Sequence, residues 1–246
     1  MLKKIILVFL VSAFLLSCKK ADTTPTNTTT NKDTIQTSIA KYGAGVTDID
    51  GNKYKTVIIG TQEWMGENLK VTKYNDGTLI PNVVDNVEWS KLTTAAWCNY
   101  NNNDSLGLIY GKLYNWYVVN TQKVCPVGWH VPSNNDWTKL IDYLGGDSVA
   151  GGKLKEVGDM HWKPQNFRAS NYSLFKALPG GYTNTDFYSI SKFGYWWSST
   201  EIVNPQGTKG GNNYFFLLIA SMYESVVIET DVSPGSGGLS IRCLKD

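Results

Sequence analysis

Histidine is nearly missing: among 246 residues only His130 and His161 carry an imidazole, which leaves little for a zinc centre or for the usual general base. A surplus of one charge is missing too. The chain holds 23 basic and 21 acidic side chains, and removing residues 1–17, with Lys3 and Lys4 and no acid, leaves 21 against 21. Without a basic surplus no counterion release drives binding to a phosphate backbone, so nucleic acid is excluded as a partner. A long apolar run is also lacking. Ile5–Leu16 covers about 18 Å of helix rise, short of the roughly 30 Å hydrocarbon core, so it is no transmembrane span. A composition with 42% hydrophobic and 18% charged residues is that of a folded globular chain, neither disordered nor fibrous.

What stands at the start is an address. Lys3 and Lys4, the apolar run and the small Ser17 before Cys18 have the layout of a secretory leader. The string LLSC at 15–18 resembles the bacterial lipobox, which implies that Cys18 becomes the lipid-modified first residue of the mature chain. Lys19 and Lys20 after it resemble outer-membrane-directed lipoproteins. Residues 18–39, rich in Thr, Asn and Asp, bury too little to offset their ordering entropy and read as a tether. The expectation is a leader at 1–17, a lipidated cysteine with a tether at 18–39, and one domain at 40–246. The protein is then held at the outer membrane or cell surface by its lipid.

Turn pairs such as Asp50-Gly51, Gly145-Gly146, Gly151-Gly152 and Gly180-Gly181 punctuate the domain into short elements. Val46–Ile49 and Lys53–Ile59 around Asp50-Gly51 predict a hairpin with a primed turn. Glu63–Leu69, Tyr214–Ser221, Ser225–Thr230 and Leu239–Leu244 predict further strands, with the two ends of the domain placed to meet in one sheet. Ser133 and Asp136 form a capping-box pattern ahead of Trp137, Leu140, Ile141 and Leu144, predicting a helix over 133–144. Leu113, Trp116 and Tyr117 predict a second helix over 110–120. Residues 166–213 read as long irregular loops, which in a packed domain are usually functional.

Cys98, Cys125 and Cys243 remain for disulfides outside the cytoplasm, and three cannot all pair internally. Cys98, with no basic cluster beside it, reads as a small buried apolar group rather than a reactive thiol. Asp48, Asp50 and Asn52 start like a calcium loop, but no glutamate falls at the twelfth position, so an EF-hand is excluded. The run Asn101-Asn102-Asn103-Asp104 offers oxygens to calcium only if distant acids converge on it; otherwise it is an Asx-rich turn. No other cofactor is called for.

Nine ordered blocks carry a resemblance: WMGENL (64–69), YNNND (100–104), YGKLYNWY (110–117), CPVGWHVPSNNDW (125–137), LGG (144–146), AGGKLKE (150–156), FKALPGGY (175–182), GYWWSSTE (194–201) and GLSIRCLKD (238–246). From about residue 44 onward the chain closely resembles the Fibrobacter succinogenes major paralogous domain family, secreted and lipid-anchored proteins of unestablished activity, largely from Bacteroidetes and Fibrobacteres. GWHVPS with WWSST also looks like the C-terminal domain of collagen-like bacterial surface proteins and, more distantly, the formylglycine-generating-enzyme fold, a relative of C-type lectins. The resemblance implies an α+β domain of short twisted antiparallel strands, about two helices and long loops. It also implies that Cys125 pairs with Cys243, because the CP before GWHVP and the RC near the terminus recur as family blocks. The catalytic cysteine pair of formylglycine-generating enzymes has no counterpart in 194–246, where Cys243 stands alone, so oxidase chemistry is not expected.

Nine Trp and fourteen Tyr exceed what an ordinary core needs, which predicts that some rings reach water. Trp64, Trp129, Trp137 and Trp197, on the most regular segments, are assigned to the core. Tyr182, Asn184, Asp186, Tyr188, Tyr195, Trp196 and Glu201 mix ring faces with hydroxyl-bonding groups on loop-like sequence and are the candidate ligand site. The expectation is a non-catalytic surface lipoprotein that binds a glycan or extracellular polymer there. Two alternatives are an envelope assembly protein with a protein partner and a glycoside hydrolase using Asp186 and Glu201, which needs two acids about 5 to 9.5 Å apart.

Overall fold

A computed structural model of the protein describes residues 39–202 and 214–246. Cys18 and the expected leader and tether, through residue 38, lie outside the described residues. In chain order the strands begin with Ala40–Tyr42 (β1), Val46–Thr47 (β2), Lys53–Tyr54 (β3), Thr56–Ile59 (β4) and Gln62–Met65 (β5). Helix Asn86–Trp89 (α1), strand Trp97–Cys98 (β6), helix Asp104–Tyr110 (α2), strand Leu113–Tyr114 (β7) and helix Trp116–Asn120 (α3) follow. Then come Trp129–His130 (β8), the helices Asn134–Tyr143 (α4) and Asp147–Leu154 (α5), and Tyr182–Thr183 (β9). Phe187–Tyr188 (β10), Phe193–Trp197 (β11), Tyr214–Ala220 (β12), Val226–Val232 (β13) and Leu244–Lys245 (β14) complete an α+β fold.

The strands form one five-stranded sheet, β1-β4-β5-β14-β8, one three-stranded sheet, β11-β12-β13, and three two-stranded ladders. Leu244 pairs with both Trp64 and His130, so the two ends of the domain do share a sheet. The hairpin at Asp50-Gly51 is wider than predicted. The strand stops at Thr47, and the Asp48 carboxylate accepts the backbone N–H groups of Asp50 and Asn52 at 3.0 Å each and the Tyr54 hydroxyl at 2.6 Å. Those donors go to a side chain, so the ladder cannot continue through them.

The helix predicted over 133–144 is observed as α4, its capping box intact: Ser133 N donates to Asp136 Oδ2 at 3.0 Å and Asp136 N to Ser133 Oγ at 3.3 Å. The helix predicted over 110–120 is broken in the middle. Gly111 ends α2 at φ 79°, where a Cβ would sit 2.6 Å from that of Asn68, and Leu113–Tyr114 pairs with β6 before α3 begins. Helix α5 was unforeseen, since its Gly151-Gly152 reads as a turn. The real demand is space: a Cβ on Gly151 would stand 2.2 Å from the Ser225 carbonyl oxygen.

The core is built of tryptophan. All nine Trp are buried, Trp64, Trp129, Trp137 and Trp197 among them, so the rings expected to reach water do not include Trp196. Trp64 and Trp137 lie 4.7 Å apart in one cluster, and Trp116 stacks on Tyr214 at 4.1 Å in another. The rings at the surface are tyrosines such as Tyr42, Tyr143, Tyr188 and Tyr223, whose hydroxyls suit a wet boundary. Cys125 is bonded to Cys243, and Cys98 is free and buried, its thiol pKa pushed up by that burial.

The bond closes a separation of 118 residues, for which chain entropy gives about 4 to 5 kcal/mol. The double variant Cys125→Ala, Cys243→Ala should lose that amount in urea unfolding, and an unchanged midpoint would count against the bond as a support. Among the described residues four carboxylates are held low: Asp76, exposed, by bonds from Thr78 and Lys123, and three more that set the acid limit. Lys245 and Thr56 hold Glu63 below the ordinary range; burial lifts Asp50 and Asp136, but bonds from Thr72 and Lys73 on one and Ser133 on the other outweigh it. Lowered folded pKa values mean stability that is fully present above the unfolded carboxylate pKa, about 4, and lost as pH falls through the folded values. Urea midpoints should be flat from pH 7 to about 5 and drop steadily below about 4.

Candidate functional site

The tyrosines of the candidate site are brought together by strand register. Tyr188 stands opposite Tyr182 in the β9-β10 ladder, and their rings stack at 5.3 Å. A bridge between Gly181 and Gly194 carries Tyr182 beside Tyr195, ring to ring at 4.9 Å and edge-on. Tyr195 in turn lies 5.8 Å from Phe216, its diagonal neighbour across β11 and β12. The result is a row of rings from the 40%-exposed Tyr188 down to the buried Phe216. Burial lifts the phenol pKa of both Tyr182 and Tyr195, so each keeps its hydroxyl proton at neutral pH.

Tyr182, Tyr195 and Phe216 of this row line a cleft of about 230 Å³ whose other walls are Asn184, Val232, Ser233, Gly237 and Leu239, and Tyr188 stacks on Tyr182 outside that lining. Asn184 is exposed at the tip of the β9-β10 hairpin. The arrangement of apolar faces with an amide, hydroxyls and backbone at the rim suits a neutral polyhydroxylated ligand. Phe216 and the 232–239 segment were missed in the sequence, although Pro234-Gly235-Ser236-Gly237-Gly238 marks a backbone that a ligand can approach closely. A wider groove of about 500 Å³ beside β1 and β3 has Tyr42 and Tyr54 in its lining, but Tyr54 is spent on Asp48.

Trp196 does not belong to this site. Alternation turns it away from Trp197, but β11 is covered on both faces here: Trp197 packs with Trp116 and Tyr114, and Trp196 with Phe175 and the Trp64 cluster. Trp196 has no exposed surface, and its indole N–H donates to Asn68 Oδ1 at 2.8 Å. The same oxygen accepts from Arg242 Nε at 3.1 Å and Nη2 at 2.7 Å, while Arg242 Nη1 donates to the Phe175 carbonyl. Arg242 is itself buried 4.1 Å from the Phe175 ring centroid. Burial pulls its pKa down against the opposing charge of Glu67.

Asp186 is exposed and accepts the N–H of Phe187 in its own turn, and its charge acts on Tyr100, whereas that of Glu201 acts on Tyr214. Of the groups weighed for calcium, Asp104 Oδ1 accepts from Asn99 Nδ2 at 2.8 Å. Asn103 Oδ1 caps α2 through Ser105 N at 2.9 Å, and Asn102 Nδ2 donates to Val84 O at 2.7 Å. Among the described residues no three of His, Cys, Asp and Glu are placed to hold a metal ion.

The model of one family, the Fibrobacter succinogenes major domain, matches residues 57–245. No curated protein and no solved structure matches the chain.

If Asn68 is the acceptor on which the centre depends, Asn68→Ala leaves buried Arg242 and Trp196 donors unpaired. It should destabilise the fold by about 3 to 5 kcal/mol in urea unfolding. Trp196→Ala should cost a similar ~3 to 5 kcal/mol through its cavity, whereas Tyr188→Ala should cost under about 1 kcal/mol.

Proposed function

The chain belongs to the Fibrobacter succinogenes major domain family, and on that premise we propose that it is a non-catalytic surface lipoprotein that binds a glycan or extracellular polymer. The observation that carries this reading is the tyrosine row, exposed at Tyr188, in which Tyr182 and Tyr195 line a cleft with Asn184. Flat ring faces take the C–H faces of sugars, and the amide and tyrosine hydroxyls bond the ligand's hydroxyls. The ligand set is Tyr182, Asn184, Tyr188 and Tyr195, with Asp186 at the hairpin tip, and Glu201 outside it. In this reading Cys18 bears the lipid, residues 18–39 are the tether, and the domain is presented at the outer membrane or cell surface. The fold is read as C-type-lectin-like, a reading supported by its small antiparallel sheets, the long irregular stretch between α5 and β9 and the bond tying Cys243 to Cys125.

A second reading, an envelope assembly protein, draws on one feature. Strand β13 is the edge of its sheet, with Val227, Glu229 and Thr230 exposed along it, and edges of this kind recruit partner strands.

Binding of the purified protein to a glycan array and to insoluble polysaccharides tests the first reading. Tyr188→Ala and Asn184→Ala should each weaken binding about tenfold, ~1.4 kcal/mol, without changing stability. No retention of the wild type on any polymer at micromolar concentration, combined with one stoichiometric protein recovered by cross-linking in cells, would replace it with the second.

A further inference from the structure

Strands β6 and β7 pair with Trp97 opposite Tyr114 and Cys98 opposite Leu113. One further step of that register sets Asn99 opposite Lys112, and the two side chains meet: Lys112 Nζ is 3.5 Å from Asn99 Oδ1. On its other side the same carboxamide donates from Nδ2 to Asp104 Oδ1 at 2.8 Å. The amide is therefore held between an amine and a carboxylate. It is also enclosed, since Asn99 is 5% exposed and a Cβ on Gly107 of α2 would stand 2.1 Å from its Oδ1. The Lys112 ammonium lies 3.7 Å from the centroid of the Trp97 ring. Burial lowers its pKa, with Asp104 and Asp50 pulling the other way, which raises the share of free amine. Asn99 stands at the entry of the short 3₁₀ helix Tyr100–Asn102, where an asparagine ordinarily caps the backbone, but its side chain makes no such bond.

We propose that Lys112 and Asn99 are joined by an intramolecular isopeptide bond, with Asp104 as the proton carrier. The uncharged Nζ attacks Asn99 Cγ, one carbonyl bond length of about 1.2 Å from the oxygen it already touches. The new N–C bond forms as the C=O pair moves onto Oδ1. Asp104 takes a proton from Nζ and passes it to Nδ2, the oxyanion collapses, the Cγ–Nδ2 bond breaks and ammonia leaves. Nothing is oxidised or reduced, and no co-reactant enters. Holding amine and amide in contact supplies the effective concentration that amide exchange lacks in free solution. The bond staples the base of the 100–111 excursion, so β6 and β7 cannot separate while it is intact.

Tryptic mapping of the reduced and alkylated full chain tests this directly. Trypsin cuts after Lys91, Lys112 and Lys123 when those amines are free, releasing 92–112 and 113–123. An amide-linked Lys112 is not a cleavage site, so 92–123 is expected as one peptide, about 17 Da lighter than its sequence mass by one ammonia. Asp104→Ala should restore separate 92–112 and 113–123 at full mass; persistence of the bond in that variant would remove Asp104 from its role. Wild-type protein yielding 92–112 with an intact Asn99 amide overturns the proposal. So does a 17 Da loss confined to 92–112 with Lys112 cleaved, which is succinimide formation instead.

Discussion

A buried guanidinium whose hydrogen bonds among the described residues go to neutral oxygens rather than to a carboxylate is the constraint around which this fold is arranged. Arg242 is a cation held by neutral dipoles, the Asn68 amide oxygen and the Phe175 carbonyl, with aromatic faces around it. Taking such a charge out of water is tolerable only if each donor direction meets an acceptor in a well-made site. That requirement couples distant parts of the chain. Asn68 also donates to the Tyr110 carbonyl at 2.7 Å and accepts from Trp196, so the end of α2, strand β11 and the last segment of the chain meet at one amide.

The C-terminal segment is the seam through which this coupling spreads. Gly238 bridges Thr183, Leu239 bridges Tyr114, Ser240 bridges Trp196, and Leu244 lies between Trp64 and His130. Cys243, next to Arg242, adds the covalent tie to Cys125. A second buried cation works similarly at the far side of the Trp64 cluster. Lys155 has no exposed surface and donates to the carbonyls of Phe167 and Tyr223 at 2.8 and 2.7 Å and, more loosely, of Ala220 and Ser221. It holds the irregular stretch after α5 against the β12-β13 turn, giving that stretch a fixed shape without regular structure.

The candidate binding row depends on the same frame. Tyr182 reaches Tyr195 because Gly181 bridges Gly194, and β9 is anchored in turn by the bridge of Thr183 to Gly238. Much of this was legible in the residues: the tyrosines of 182–195 were singled out, α4 announced itself by its capping box, and the four regular-segment tryptophans went where their surroundings put them. The misreadings share one cause. Trp196, Gly111 and Gly151 were judged from their chain neighbours, whereas each answers to a residue far away in sequence: Asn68, Asn68 again, and Ser225. Arg242 carries a local signal, a lone charge between Ile241 and Cys243, whereas Lys155, beside Lys153 and Glu156, carries none.

By itself the sequence determined the composition class, the strand-rich α+β make-up, the cysteine pairing through its family blocks and the ring-rich segment. These are properties of local pattern, since periodicity, capping and turn chemistry act over a few residues. Only the tertiary structure decided which rings face water and which polar groups are spent on one another. It sent every tryptophan inward and left the boundary to tyrosine, because a sheet covered on both faces has no free side for alternation to expose. It also set Asn99 between Lys112 and Asp104, because strand register and helix packing, which no local pattern encodes, fix which side chains touch.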